Sequence, residues 1–163
     1  MCNRNFRDFV FRVLPPLRYE DLEEYKNFKQ SHPDIEPQSA DEQRLQQLSK
    51  KYQEEILTNK ATIQKKRGEV IFYGDEIMLQ HYDSGEIIEA SKTCAEIDKS
   101  CNLLRTVPSG SAWVYFIIEP KYKYRSEGQV VTYGDVCIFK NTMSKYYMHV
   151  SSSGATAVQM PDC

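Results

Sequence analysis

The 163-residue sequence predicts a mainly β fold of the β-trefoil type, incomplete, with an inserted helix–turn–helix arm. Three observations carry that prediction. One strand pattern recurs at a spacing of sixty residues, a second apolar strand recurs at another spacing, and a charged segment between them has helical periodicity. A repeat sets architecture, because each unit needs its neighbours to bury its apolar face.

The first element is residues 9–16, FVFRVLPP, which align ungapped with 113–120, WVYFIIEP. Both read as apolar strands closed by a proline, which cannot continue a central strand. Residues 1–16 thus read as the last strand of a first unit.

Residues 17–67 fall outside the repeat and read as the arm. Tyr19, Leu22, Tyr25 and Phe28 make a stripe at helical spacing, with Glu20, Asp21, Glu23 and Glu24 at its start. His32-Pro33 and Glu36-Pro37 interrupt it. Ser39 and Glu42 then have capping-box spacing, followed by Leu45, Leu48, Tyr52 and Ile56 on one face. Asp41 and Glu42 open this second helix and Lys65, Lys66 and Arg67 close it, which complements the helix dipole.

Residues 68–91 align without a gap on 128–151. Gly68, Val70, Tyr73, Gly74, Asp75, Ser84 and Ser91 fall on Gly128, Val130, Tyr133, Gly134, Asp135, Ser144 and Ser151. Ile77, Leu79 and Ile87 meet Cys137, Phe139 and Tyr147. Each unit reads as strand, Gly-Asp turn, strand, Ser-containing turn, strand. On this reading 68–120 is a complete unit and 128–163 the start of a third, so that the chain forms one partial trefoil domain cut at both ends.

Composition narrows the function. A net charge of −2 gives no electrostatic footprint for nucleic acid or an anionic membrane. Five cysteines, Cys2, Cys94, Cys101, Cys137 and Cys163, form no tight pattern and suit a reducing compartment. No apolar run reaches the roughly 20 residues of a membrane helix, and Arg4, Arg7, Asp8 and Arg12 break the amino-terminal apolar stretch.

No nucleophile elbow, phosphate loop or H-E-x-x-H pair is present. Cys94, Cys101 and His81 lack zinc spacing, and His32 and His149 stand in no catalytic setting. Asp75 and Asp135 are explained by turn formation rather than as a carboxylate dyad. The sequence therefore predicts no enzyme, no catalytic or metal site and no cofactor.

The order of FRDFVFRVLPPLRY (6–19), the helical arm, GEVIFYGDEIMLQHYDSGEII (68–88), Trp113 and EPKYKYRSEG (119–128) resembles the first β-trefoil of inositol trisphosphate receptors. That suppressor module contains an MIR repeat. RSEG, the following GD and SKYYMHVS are equally similar to the first domain of ryanodine receptors, whereas the opening FRD…P…RY is closer to the trisphosphate receptors.

The resemblance implies a regulatory domain of an intracellular ligand-gated calcium-release channel, at the cytosolic face of the endoplasmic reticulum membrane. In that family the module lowers ligand affinity and couples ligand binding to opening through inter-domain contacts. Its partners would be the neighbouring ligand-binding domain, the other subunits of a tetramer, and regulatory proteins on the arm. The ligand-holding arginines and lysines lie in following domains, so no ligand site is implied here. The family's coupling tyrosine follows its tryptophan, and its equivalent here is Tyr115 or Ile117.

The candidate coupling surface is then Trp113, Tyr115 and Ile117, followed by Tyr122, Lys123 and Arg125. Residues 113–118 read first as a buried strand, since large apolar side chains are usually core. Lys121, Lys123 and Arg125 alternate with Tyr122 and Tyr124, which on a strand puts cations on one face and aromatics on the other. That pattern fits either a solvated edge or an inter-domain contact. Rival readings are the equivalent amino-terminal domain of a ryanodine receptor, the luminal MIR domain of a protein O-mannosyltransferase-like protein, and a stand-alone trefoil lectin or cytokine.

Overall fold

The computed structural model describes residues 10–33, 39–95, 99 and 101–149. Cys2, Phe9, Glu36, Pro37, Ser151 and Cys163, with the rest of 150–163 and the 6–9 part of the opening motif, lie outside them. The elements are β1 (Phe11–Leu14), α1 (Glu20–Ser31), α2 (Ala40–Lys66), β2 (Glu76–His81), β3 (Ile87–Cys94), β4 (Asn102–Val107), β5 (Phe116–Pro120) and β6 (Cys137–Asn141). The six strands form one antiparallel sheet in the order β4-β3-β2-β5-β6, with β1 also paired to β2. The chain is thus mainly β around its core, with two helices.

The sheet is buried where β2 crosses it. Ile77 and Leu79 point into one cluster with Tyr73, Phe116 and Ile118. Met78, between them, points the other way into a cluster with Leu14, Leu17, Ile87 and Val114. Side chains alternate across a strand, so a strand covered on both faces reads as a continuous apolar run.

The sixty-residue repeat holds at the level of single hydrogen bonds. Asp75 Oδ2 accepts the Phe72 N–H at 2.8 Å, and Asp135 Oδ2 accepts the Thr132 N–H at 2.9 Å. The Asp75 and Asp135 N–H groups donate to the same two residues' carbonyls, both at 3.1 Å. Gly74 and Gly134 take φ of 96° and 88° to close these turns. The two aspartates are therefore turn formers.

At the next turn the equivalence extends to residues of different type. Ser84 N–H donates to His81 Nδ1, as Ser144 N–H donates to Asn141 Oδ1. The Ser84 and Ser144 hydroxyls then accept from Glu86 and Tyr146 N–H. An imidazole nitrogen in one copy does the work of an amide oxygen in the other. Gly85 and Lys145 both adopt positive φ, 72° and 64°.

Two expectations are corrected. The match of 9–16 with 113–120 is displaced by one residue. Phe11 and Val13 sit opposite His81 and Leu79, while Phe116 and Ile118 sit opposite the repeat equivalents Asn141 and Phe139. Phe11 therefore corresponds to Phe116, and Pro15 to Pro120. Two runs that are apolar at nearly every position match almost as well after a one-residue slip, but the slip exchanges the faces of every side chain. The second correction concerns the basic-aromatic segment. Residues 121–125 form a turn, with Arg125 N–H donating to the Tyr122 carbonyl at 3.2 Å. The expected strand at 113–120 begins only at Phe116.

The helices follow their signals. Ser39 Oγ accepts the Glu42 N–H at 3.1 Å and caps α2. Helix α1 ends at Ser31, before His32-Pro33. Leu22 of α1 and Leu48 of α2 are buried where the helices pack, with Tyr25 and Tyr52 stacked at 5.8 Å.

Candidate coupling surface at the base of the arm

The arm joins the sheet through a short stretch of backbone, residues 17–22, which α2 clamps from the side. Tyr19 at the N-cap of α1 supplies no side-chain cap. Glu55 of α2 does so instead. Its carboxylate accepts the Asp21 N–H at 3.0 Å and the Leu22 N–H at 3.3 Å, and it is buried. The first N–H groups of a helix have no intrahelical partner and carry the positive end of its dipole, so an acceptor anion there is stabilising. One turn along α2, Asn59 Oδ1 accepts the Arg18 N–H at 3.0 Å while its Nδ2 donates to the Arg18 carbonyl at 2.7 Å. A further turn on, Ile63 packs against the cluster of Leu14, Leu17, Met78, Ile87 and Val114.

Tyr115 closes the junction from the sheet side. Its hydroxyl donates to the Leu17 carbonyl at 2.5 Å, and its half-buried ring packs on the same cluster. Burial pushes the Tyr115 phenol up to about 12, helped by the nearby carboxylates of Glu76, Glu20, Glu23 and Glu55. Burial likewise pushes Tyr19 up to about 12. Both phenols are thus neutral hydrogen-bonding groups across the physiological range.

The loop before β5 completes the seat. An added Cβ at Gly110 would lie 2.3 Å from the Tyr19 ring, so only glycine lets the arm's first tyrosine lie this close. The loop is fixed from beneath. Arg105 donates through Nε at 2.8 Å and Nη2 at 2.7 Å to the buried Glu89 carboxylate, which also accepts the Ser111 hydroxyl. Ser111 Oγ in turn accepts the Trp113 N–H at 3.1 Å. Lys26 Nζ donates to Ser109 Oγ at 2.6 Å and ties α1 to the same loop.

The six expected surface residues fall in two groups. Trp113 lies in the turn before β5, half-buried, with the Lys92 ammonium 5.6 Å from its ring centroid. Its carbonyl accepts from the Ala90 N–H and from Asn141 Nδ2. Tyr115 stands at the arm junction. Ile117 is half-exposed on β5 between the buried Phe116 and Ile118.

Tyr122, Lys123 and Arg125 lie beyond the other end of β5. At about 3.3 Å per residue, that strand puts some 16 Å between the two groups. In the second group the Tyr122 and Tyr124 rings stack at 5.9 Å, with Lys121 over Tyr122 and Arg125 over Tyr124. Lys123 is exposed. Arg125 also pairs with Asp135, its Nη2 3.1 Å from Oδ1. The Asp135 carboxyl is held down at about 2, chiefly by the Thr132 N–H, with Arg125 among the smaller contributors.

Glu55, Asn59 and Gly110 were not singled out by sequence. The available signal was two polar residues, four apart, on the face of α2 that also carries Leu48, Tyr52 and Ile63. Gly110, flanked by serines, reads as an ordinary loop glycine. Among the described residues, no group of three or more His, Cys, Asp or Glu could hold a metal ion, and no helix is long and apolar enough to cross a membrane.

A sequence model of the family described as inositol 1,4,5-trisphosphate/ryanodine receptor matches residues 3–161. The inositol 1,4,5-trisphosphate receptor itr-1 of Caenorhabditis elegans is 28% identical over 162 residues, covering 91% of this chain. The chain spans about 5% of the length of that relative. These are receptors rather than enzymes. The chain belongs to the inositol 1,4,5-trisphosphate/ryanodine receptor family.

Proposed function

We propose that this chain is the regulatory amino-terminal module of an intracellular calcium-release channel of the trisphosphate-receptor type. In this reading it acts at the cytosolic face of the endoplasmic reticulum, within a tetramer, and couples ligand binding in following domains to gating. The sheet is one part of a threefold, MIR-type trefoil, with 68–120 as a full unit and parts of two others on either side. Trp113, Tyr115 and Ile117 form one coupling surface and Tyr122, Lys123 and Arg125 a second.

The observation that carries this reading is the clamped arm. A helical pair joined to a sheet by a loose linker transmits nothing. Here the Tyr115–Leu17 hydrogen bond, the Tyr19–Gly110 contact, the Lys26–Ser109 hydrogen bond and the packing of Ile63 on the sheet's core cluster fix the arm to the sheet at four points, while Glu55 and Asn59 hold α2 onto the start of α1. A displacement imposed on the arm by a neighbouring domain, subunit or regulatory protein therefore reaches β5 and its loops as a rigid-body movement. The trisphosphate type is favoured over the ryanodine type by the likeness to the nematode trisphosphate receptor.

Removing this module from the longer receptor tests the proposal. Ligand affinity should rise while ligand-triggered calcium release is lost. A truncated receptor that binds and opens as the intact one does would overturn it.

A further inference from the structure

Among the described residues outside helices and strands, every serine and threonine hydroxyl but one is engaged in a hydrogen bond. Ser39 caps α2, and Ser84 and Ser144 hold their turns. Ser109 accepts from Lys26, Ser111 donates to Glu89, Thr132 to Asp135 and Thr142 to the Tyr115 carbonyl. The exception is Ser126, which is exposed and whose hydroxyl makes no such bond. Its backbone is nonetheless fixed. The Ser126 N–H donates to Gln129 Oε1 at 3.0 Å, and its carbonyl accepts the Gln129 N–H at 3.2 Å. Main chain rather than side chain holds this turn, so a group added to Oγ breaks no bond.

The residues that lead to Ser126 carry charge at alternate positions, Lys121, Lys123 and Arg125. Arg125 is committed to Asp135 and Thr132. Lys123, three residues before the hydroxyl, is exposed and pairs with no described carboxylate, and Lys121 is likewise exposed. Drawn out straight, the segment puts its cations on one face and the Ser126 hydroxyl on the other. Little resists that movement. Beyond β5 the stretch is tied by the Lys121 N–H to the Val136 carbonyl and the Arg125 N–H to the Tyr122 carbonyl, and exposed backbone bonds of this kind open locally at small cost.

We propose that Ser126 is a phosphorylation site for a protein kinase that reads cations before the acceptor hydroxyl. In the transfer, Ser126 Oγ attacks the terminal phosphorus of a nucleoside triphosphate held by the kinase. The bond from that phosphorus to the bridging oxygen breaks, the hydroxyl proton passes to the kinase's aspartate base, and the nucleoside diphosphate leaves. The product carries about −1.5 to −2 of added charge. Glu127 and Asp135 already offset two of the three positive charges of Lys121, Lys123 and Arg125, so the phosphate reverses the sign of the turn. An acidic partner that fits the unmodified turn is then repelled by the modified one. The site stands independently of whether this turn takes part in gating.

The test exposes the folded 163-residue chain to Mg-ATP with, in separate reactions, the cyclic-AMP-dependent kinase, a calcium/calmodulin-dependent kinase and an acid-directed casein kinase, and maps phosphate by mass spectrometry. At least one of the two cation-reading kinases should modify Ser126 at least about tenfold faster than the casein kinase does. Ser126→Ala should remove that phosphate. Lys123→Ala should lower kcat/KM about tenfold or more, and Lys123→Arg should keep it. Both side chains are exposed, so none of these changes threatens the fold. Lack of phosphate at Ser126 with either cation-reading kinase would overturn the proposal. So would phosphate there only after unfolding in urea, an equal rate with the casein kinase, or a rate unmoved by Lys123→Ala.

Discussion

Replacing Glu55 tests whether one helix truly caps the other. Its carboxylate holds two N–H groups at the start of α1 from a position thirty-three residues away, and its burial leaves water little access to replace it. Loss of an N-cap costs ~0.5–2 kcal/mol, and loss of hydrogen bonds to a charged acceptor ~1.5–3 kcal/mol, two overlapping measures of the same contact. Glu55→Ala should therefore cost about 2–3 kcal/mol, which for a chain of this size lowers Tm by roughly 5–10 °C. Glu55→Gln keeps one carbonyl oxygen but turns an NH2 toward the second donor, so about half that loss is expected. Denaturant unfolding followed by far-ultraviolet circular dichroism reads both, and exchange of the Asp21 and Leu22 amides should accelerate in step. If both variants unfold within about 0.5 kcal/mol of the parent, the spread of ordinary surface substitutions, the cap contributes nothing and the clamp argument fails.

Further predictions concern the loop, the repeat and pH. Gly110→Ala should destabilise by ~1–3 kcal/mol through overpacking against Tyr19. Adding Tyr19→Ala should give less than the sum of the two losses, which a double-mutant cycle measures. Lys145 holds a left-handed conformation that glycine occupies in the other copy, so thermal unfolding should rank Lys145→Gly at or up to ~1 kcal/mol above the parent and Lys145→Val below it; the reverse order would contradict the turn equivalence. Asp135 has a folded pKa of about 2 against an ordinary 3.8, so its stabilising contribution is fully present above about pH 4 and is lost as pH falls toward 2. Asp135→Asn should flatten the acid limb of a urea-midpoint profile across that window.

Much of this architecture was legible because it is written in repeats and local signals. The Gly-Asp turns, the alternation around Ile77 and Leu79, and the Ser39 cap are determined by residues within a few positions of one another. The register of β1 was not legible, since FVFRVL and WVYFII are apolar at nearly every position and one slip costs the comparison little. Residues 121–125 show a different limit. Their alternation suits a strand, but Pro120 ends β5 and the segment turns, bringing Tyr122 and Tyr124 into a stack rather than spreading them along an edge. The arm junction was the least visible part. Glu55 meets Leu22, and Tyr115 meets Leu17, across separations of 33 and 98 residues, with no local motif to announce either pair.

The most direct test of the account is Tyr115→Phe in the full-length receptor. That change removes one hydroxyl, leaves the ring in its cluster and strands the buried Leu17 carbonyl, at a cost of ~1–3 kcal/mol to the junction. With ligand affinity and channel opening measured on the same preparation, folding and assembly should be retained and ligand should still bind, but opening at saturating ligand should fall severalfold. Opening and affinity both equal to those of the parent would show that the clamped junction carries no coupling.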